Sequence, residues 1–138
     1  MPIKLKKADF EIIVAWARGE LPQEACGLIA GRRDGPDKII EKIYPLTNMA
    51  RSRERFDLDL REQLASVKDM RARGLAPLGN FHSHPETPAR PSPEDLAMAH
   101  DSAASYLIVS LAEAEPVLKA FHIETRNNLV LEEEIIFL

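Results

Sequence analysis

His82 and His84 stand two residues apart in Asn80-Phe81-His82-Ser83-His84-Pro85, and Asp95 follows within Ser92-Pro93-Glu94-Asp95. Alternate side chains of an extended strand share a face, so the two imidazoles point the same way. A carboxylate returning across a short loop completes a three-ligand set for a divalent ion. Three protein ligands leave one position of tetrahedral zinc open, the arrangement that separates a catalytic zinc from a structural one. Each half also has a plainer reading. Two histidines on a strand are as readily partly buried, hydrogen-bonded side chains. Ser at the N-cap, Pro at N1 and an acid at N3 make a good helix start without any chemistry, a cap being worth on the order of 1 kcal/mol. Together the halves favour the metal: a stiff proline loop leads from the strand to a helix N-terminus, whose dipole and local hydrogen bonds orient the Asp95 carboxylate.

Other elements must bring these side chains together. The alternation at residues 2–7 predicts a short strand. Phe10, Ile13, Val14 and Ala17 recur at helical spacing from Asp9 to Arg18, ending near Gly19. Ala25 to Gly31 reads as a buried strand, Asp34-Gly35-Pro36 as a hairpin turn, and Lys38 to Leu46 as the returning strand. Thr47 to Arg55 is an arginine-rich loop, and Phe56-Asp57-Leu58 a very short strand. Leu60, Leu64, Val67 and Met70 mark a second helix, ending near Gly74. Leu75 to His84 carries the two histidines, and Pro93 to Ser102 is a third, short helix. Tyr106–Leu111, 116–123 and a single last stretch, Leu129–Leu138, complete the strands. The order β-α-β-β-α-β-α-β-β-β predicts an α/β layer fold, with a mixed sheet covered by helices on more than one side.

The 138 residues read as a single domain, 1–138, with no linker, repeat or low-complexity tract. A chain of this size buries roughly 68–70% of its unfolded surface, enough for a core without staples. Hydrophobic content of 45% and charged content of 29% describe a soluble globular protein. No run of about 18 apolar residues spans a membrane. The start Met-Pro-Ile-Lys-Leu-Lys-Lys lacks an apolar stretch behind it, which argues against a secretory signal. One cysteine, Cys26, excludes an internal disulfide and a Cys-rich zinc knot, and suits a reducing cytoplasm. A formal net charge of −4 argues against nucleic acid as the main partner.

His82-Ser83-His84-Pro85, six residues, then Ser92-Pro93-Glu94-Asp95 resembles the JAMM motif of the MPN-domain metalloproteases. Glu24-Ala25-Cys26-Gly27-Leu28 resembles the other half of that signature, a glutamate ahead of a Cys-Gly-Leu strand. The likeness runs on through Leu46-Thr47-Asn48 and Phe56-Asp57-Leu58. The loop Glu86 to Pro91 is similar to that of the prokaryotic, stand-alone branch. The resemblance implies an α/β MPN (cytidine-deaminase-like) fold, a mixed curved β-sheet flanked by helices.

The same resemblance implies Zn2+ held by His82, His84 and Asp95, Glu24 as general base, and Ser92 as hydrogen-bond donor to the oxyanion. Glu24 taken alone reads as a solvated turn carboxylate. Apolar neighbours make Cys26 a buried small hydrophobe, not a nucleophile. His100 and His122 lie outside the motif and read as ordinary. Trp16 reads as core or partner surface. Arg51, Arg53, Arg55 and Arg61 read as a solvated face, with a substrate clamp as the alternative. The activity implied is hydrolysis of an amide bond at the C-terminal Gly-Gly tail of a ubiquitin-like sulfur-carrier protein in the cytoplasm. The alternatives are a metalloisopeptidase removing ubiquitin-like modifiers, a non-catalytic MPN scaffold, and a DNA-associated protein similar to the RadC group. MPN domains also pair, so a homodimer is among the implications.

Overall fold

The structure is a computed structural model that describes residues 2–138. Eight strands form one mixed sheet. They are β1 (Ile3–Leu5), β2 (Cys26–Asp34), β3 (Asp37–Leu46), β4 (Ala76–His84), β5 (Ser105–Ser110), β6 (Val117–Glu124), β7 (Leu129–Glu133) and β8 (Ile135–Phe137). The helices are α1 (Lys7–Gly19), α2 (Leu60–Ala72) and α3 (Pro93–Met98). Strand order is β7-β6-β5-β4-β2-β3-β1-β8. β4 and β5 run parallel across the α3 crossover, β1 runs parallel to both β3 and β8, and the remaining pairs are antiparallel.

Alternation along the central strands sorts side chains into two layers. Ile29, Phe81 and Leu107 join Ile3, Leu5, Ile13, Val14 and Ala17 in the core beneath α1. Their sequence neighbours face the opposite layer. There Leu28, Tyr44 and Leu46 meet Met70 of α2, and Tyr106, Ile108, Phe121 and Ile123 meet Ala99 and the partly buried Leu96 at α3. Fully burying one such aliphatic or aromatic side chain contributes roughly 1.5–3 kcal/mol, so both layers hold the sheet firmly. His82, next to Phe81, falls on the α2–α3 side. The pairing there is tight: a Cβ at Gly79, whose φ is +153°, would collide with the backbone of Ser105. Only glycine lets β4 approach β5 so closely.

The sequence expectations need four adjustments. The last stretch, Leu129–Leu138, is two strands, not one. β7 and β8 are separated by Glu134 alone yet stand at opposite ends of the strand order. The sheet therefore curls until its two edges meet, with Ile3 donating to the Glu134 carbonyl at 2.7 Å. No periodicity signals such a switch, because both halves are strand-like. The third helix stops at Met98, well short of Ser102. Ala99 turns extended there and packs into the core. The first strand ends at Leu5, and α1 begins at Lys7. Phe56-Asp57-Leu58 forms only a single bridge, between Leu58 and Asn48.

Inside the curl lies a polar cluster that hydropathy patterning does not announce. Lys38 on β3 is 2% exposed. Its Nζ donates to Ser105 Oγ at 2.7 Å and to the Ala103 carbonyl at 2.8 Å. Ser105 Oγ donates in turn to Glu133 Oε1 at 2.7 Å. Three strands distant in order are thus joined through charge-assisted bonds. Removing Lys38 takes the buried charged donor from Ser105 Oγ where no solvent replaces it. Lys38→Ala is expected to cost about 3 kcal/mol or more, read as a lowered midpoint in urea unfolding. A loss below about 0.5 kcal/mol, the range of ordinary surface substitutions, would show the cluster to be inert.

Candidate active site

β4 delivers His82 and His84 to one face at its C-terminal end, 2% and 4% exposed. α3 delivers Asp95 from its first turn through a complete capping box. Ser92 Oγ accepts from the Asp95 N–H at 3.1 Å, and Asp95 Oδ2 accepts from the Ser92 N–H at 2.9 Å. The cap expected from sequence is present, and its second arm fixes the orientation of the Asp95 carboxylate.

The three side chains converge. His82 Nε2 and His84 Nε2 are 3.2 Å apart, and each lies 3.0 Å from Asp95 Oδ2. The tautomer of His84 follows from its other nitrogen: Nδ1 donates to the Pro88 carbonyl at 2.8 Å, which leaves Nε2 a lone-pair acceptor. Three electron-rich atoms of a buried triangle face one point, and a divalent cation about 2 Å from each fits it. These three residues are the group whose ligand atoms lie within 4.8 Å of one another among the described residues. Burial acts against the charge on Asp95, but the two imidazoles beside it and the Ser92 N–H outweigh burial and hold its carboxyl far below the usual range. Desolvation holds the fully enclosed His82 below the ordinary histidine value.

Glu24 is not the solvated turn carboxylate it resembles in isolation. It is 2% exposed, and its Oε1 is buried with no hydrogen-bond partner. Burial, followed by the negative charge of Asp95, pushes its carboxyl up to about 8, against the pull of His84. Two sets of contacts hold it beside the triangle. Ser83, between the two histidines, is wholly buried; its Oγ accepts from the Ala25 N–H at 2.7 Å, and its own N–H donates to the Ala25 carbonyl at 2.9 Å. Asn48, 2% exposed, uses both ends of its amide. Nδ2 donates to the carbonyls of Glu24 (3.0 Å) and Arg55 (3.1 Å), while Oδ1 accepts from the N–H groups of Ala50 and Asp57, each at 3.0 Å. The Glu24 N–H donates to the Ser52 carbonyl at 2.7 Å.

The loop gathered by Asn48 carries Phe56, whose ring stacks on His82 with centroids 4.7 Å apart and planes 24° from parallel. Sequence reasoning gave Phe56, Asn48 and Ser83 no individual roles. Asn48 lies in a polar, aperiodic stretch, and nothing but its saturated contacts singles it out. The remaining residues behave as expected. Burial pushes the Cys26 thiol up to about 12, far from a reactive thiolate. Trp16 Nε1–H reaches the carbonyls of Cys26 and Leu46 and packs on the α1 core. Arg51, Arg53, Arg55 and Arg61 are exposed, and Arg53 pairs with Glu86 at 3.3 Å. His122 pairs with Glu124.

Two strand histidines and a cap-held aspartate form a group that could hold a metal ion, with the buried Glu24 carboxyl beside it. The chain belongs to the family of prokaryotic homologues of the JAB domain, whose model matches residues 6–124. Among curated proteins it is similar to a CysO-cysteine peptidase of Mycobacterium tuberculosis, 40% identical over 98 residues. That match covers 71% of this chain and 66% of that protein. It is also similar to a desampylase of Haloferax volcanii, 33% identical over 95 residues, covering 68% of this chain and 67% of that one. Among solved structures, one of a Desulfitobacterium hafniense protein superposes with a TM-score of 0.91 at 55% identity, covering 99% of this chain and 92% of that one. A JAB1/MPN domain protein of Archaeoglobus fulgidus shares the fold with a TM-score of 0.61 at 22% identity, covering 99% of each chain.

The burial of Glu24 has a measurable consequence in protein freed of metal. Its folded-state carboxyl keeps the proton up to about pH 8, whereas an unfolded glutamate releases it near 4.5. The folded state therefore binds more protons across that window, and stability falls as pH rises through it. Glu24→Gln removes this penalty. In chelator-treated protein the substitution is expected to raise the thermal midpoint at pH 8 and to have little effect near pH 4.5. Equal effects at both pH values would contradict a neutral, buried Glu24.

Proposed function

We propose that this chain is a zinc-dependent metallohydrolase that cleaves the amide bond at the C-terminal Gly-Gly tail of a ubiquitin-like sulfur-carrier protein. The observation that carries the reading is the juxtaposition of a three-atom lone-pair triangle with the unpartnered Glu24 carboxyl. His82 and His84 through Nε2 and Asp95 through Oδ2 are the atoms that would hold zinc. What zinc supplies there is Lewis acidity, which brings the pKa of a bound water towards about 7 and polarises the scissile carbonyl.

The chain's own groups do the rest. Glu24 Oε1 accepts a proton from the attacking water and passes it to the departing amine. Ser92 Oγ already accepts from the Asp95 N–H, so its own hydrogen is free to donate to the developing oxyanion. The helix cap and the oxyanion donor are thus compatible roles of one hydroxyl. Phe56 covers His82 and excludes water from that ligand. Asn48 and Ser83 keep Glu24 from swinging away. An extended Gly-Gly tail suits the narrow approach, with main-chain hydrogen bonds along the loop that precedes α2.

The choice of a carrier-tail amide draws on the likeness to the CysO-cysteine peptidase. The likeness to the desampylase favours a second reading with the same chemistry, in which the leaving amine belongs to a protein to which a ubiquitin-like modifier is attached. Against a non-catalytic scaffold stands the presence of every expected ligand atom and of the base. A cytoplasmic enzyme agrees with a single buried, unpaired cysteine and with the absence of a membrane-length apolar helix among the described residues.

Mass spectrometry of a Gly-Gly carrier joined to cysteine, incubated with zinc-loaded protein, is expected to show loss of the cysteine, blocked by chelator. A carrier adduct left intact alongside a cleaved carrier–protein isopeptide would favour the second reading. Glu24→Gln is expected to keep one zinc per chain and lose turnover, whereas Asp95→Ala is expected to lose the metal itself. Ser92→Ala is expected to lower kcat by about 10²–10³. Separately, it should cost about 1 kcal/mol of stability. A stability loss with unchanged kcat would reduce Ser92 to a cap.

A further inference from the structure

β5 is an apolar strand that ends in a buried hydroxyl. Ser105-Tyr106-Leu107-Ile108-Val109-Ser110 is buried along its whole length, and the side chains between its two serines are aromatic or aliphatic. Ser105 serves the Lys38 cluster at one end. Ser110 closes the other end, 2% exposed, and the proposed mechanism gives it no part. A hydroxyl taken out of water costs stability unless it is hydrogen-bonded. Ser110 Oγ accepts from the Ala112 N–H at 3.2 Å and donates its single proton to the Thr87 carbonyl at 2.6 Å.

Thr87 is joined directly to Pro88, whose carbonyl takes the His84 Nδ1–H at 2.8 Å. Three conditions set the direction of that carbonyl. The first is the plane of the Thr87–Pro88 peptide, held through its oxygen by the Ser110 hydroxyl. The second is the φ of Pro88, locked by its ring at about −65°. The third is rotation about the Pro88 Cα–C bond, held by the Arg90 N–H, which donates to the same carbonyl at 2.9 Å. The ring is covalent and the Arg90 bond is internal to the loop, so the Ser110 bond is the condition that β5 imposes. Thr87 and Pro88 are exposed, and no layer packs over them. Ala89 is buried at α3, but a methyl contact fixes a position and not the direction of a carbonyl. Ser110 also stands opposite His84 in the β4–β5 register, and the Leu111 N–H donates to the His84 carbonyl at 3.0 Å. β5 thus holds His84 twice, at its backbone directly and at its ring through Thr87 and Pro88.

Resting on the reading of His82, His84 and Asp95 as zinc ligands, we propose that Ser110 is a positioning residue for the metal: by holding the Thr87–Pro88 segment it keeps the His84 Nδ1–H on the Pro88 carbonyl and Nε2 aimed at the ligand triangle. Loss of the outer partner of a ligating histidine commonly costs about 10–100-fold in metal affinity. Ser110 acts one residue beyond that partner, so the lower end of the range applies.

Zinc affinity, measured on the full chain by competition with a chromophoric chelator, tests this at a temperature where circular dichroism shows each variant folded. Ser110→Ala is expected to weaken zinc binding about tenfold, and Ser110→Thr, which restores the hydroxyl, to recover it. Ser110→Cys offers a weaker donor. It is expected to fall between the two and supplies the comparison should Ser110→Ala not fold. Lys38→Ala disturbs the opposite end of β5. It controls for lost stability and is expected to bind zinc as the wild type does. A second readout needs no metal. In zinc-free protein the His84 Nδ1–H is expected to exchange slowly with solvent, by nitrogen-resolved NMR, in the wild type and faster in Ser110→Ala. Unchanged zinc affinity in a folded Ser110→Ala or Ser110→Cys would overturn the proposal. So would an equal loss in Lys38→Ala, or a wild-type Nδ1–H that exchanges as fast as that of free imidazole. Wild-type protein that takes up no zinc, yet shows Ser110-dependent protection of the Nδ1–H, would refute the metal reading and leave the placement of His84 by Ser110. Tight zinc binding with Nδ1–H exchange indifferent to Ser110 would refute the positioning role and leave the metal reading.

Discussion

Three lone pairs directed at one buried point are an unstable arrangement in a protein without a cation. His82, His84 and Asp95 place their acceptor atoms 3.0–3.2 Å apart, behind walls that exclude most water. Left to relax, such side chains would rotate apart. Each is prevented by a bond made elsewhere on the same residue or by a covering neighbour. His84 is held by Nδ1 on the Pro88 carbonyl, Asp95 by the Ser92 N–H, and His82 by the Phe56 ring against its face. The site is therefore built from its supports inward. The proline-rich loop, the capping box and the loop before α2 each supply one of those restraints.

The same constraint explains the fold around it. Two histidines share a face only if β4 stays extended to its end, and the strand is gripped on both sides, by β2 and by β5. Gly79 lets β5 close in. Gly27 does the same on the other flank, where a Cβ would strike the Phe81 ring. Ser83 turns the residue between the ligands into a clamp on Ala25, so that the strand holding the ligands also positions the neighbour of the base. At the far end, Lys38, Ser105 and Glu133 tie β3, β5 and β7 across the interior of the curl.

How much of this could be read from the sequence depended on whether the signal was local. The helices α1 and α2 are written in apolar spacing, the cap of α3 in Ser92-Pro93-Glu94-Asp95, and the ligand strand in the His-x-His alternation. The convergence of His82, His84 and Asp95 was legible because these residues lie close in sequence and their types are rare together. The place of Glu24 beside the triangle was implied only through resemblance, since its burial is set by strands far away in the chain. The division of the last ten residues into β7 and β8 was hidden for a similar reason. Whether a strand-like run stays with one neighbour or crosses to the other edge is decided by sheet closure, a property of all eight strands. Asn48 is the extreme case: an asparagine in an arginine-rich loop, whose role consists of four long-range or turn contacts that leave no pattern in the sequence.

The electrostatics of the two halves of the site are opposed, and that opposition links metal loading to acid–base readiness. Burial is the larger influence on Glu24, and the anionic Asp95 adds to it, so the carboxyl without a cation nearby stays protonated to about pH 8. In that state it cannot accept a proton from water at neutral pH. A divalent ion held by the triangle would cancel the Asp95 charge and add net positive charge beside Glu24, reversing the second influence and opposing the first. A cation held there would thereby shift Glu24 towards its ionised form, the form that the proposed role as base requires. A glutamate in a solvated turn would be ionised at all times and would gain nothing from this coupling; enclosure by Asn48, Ser83 and the loop at Ser52 creates it. The desolvation that raises the Glu24 carboxyl is thus the feature that would make its ionisation respond to a cation on the triangle.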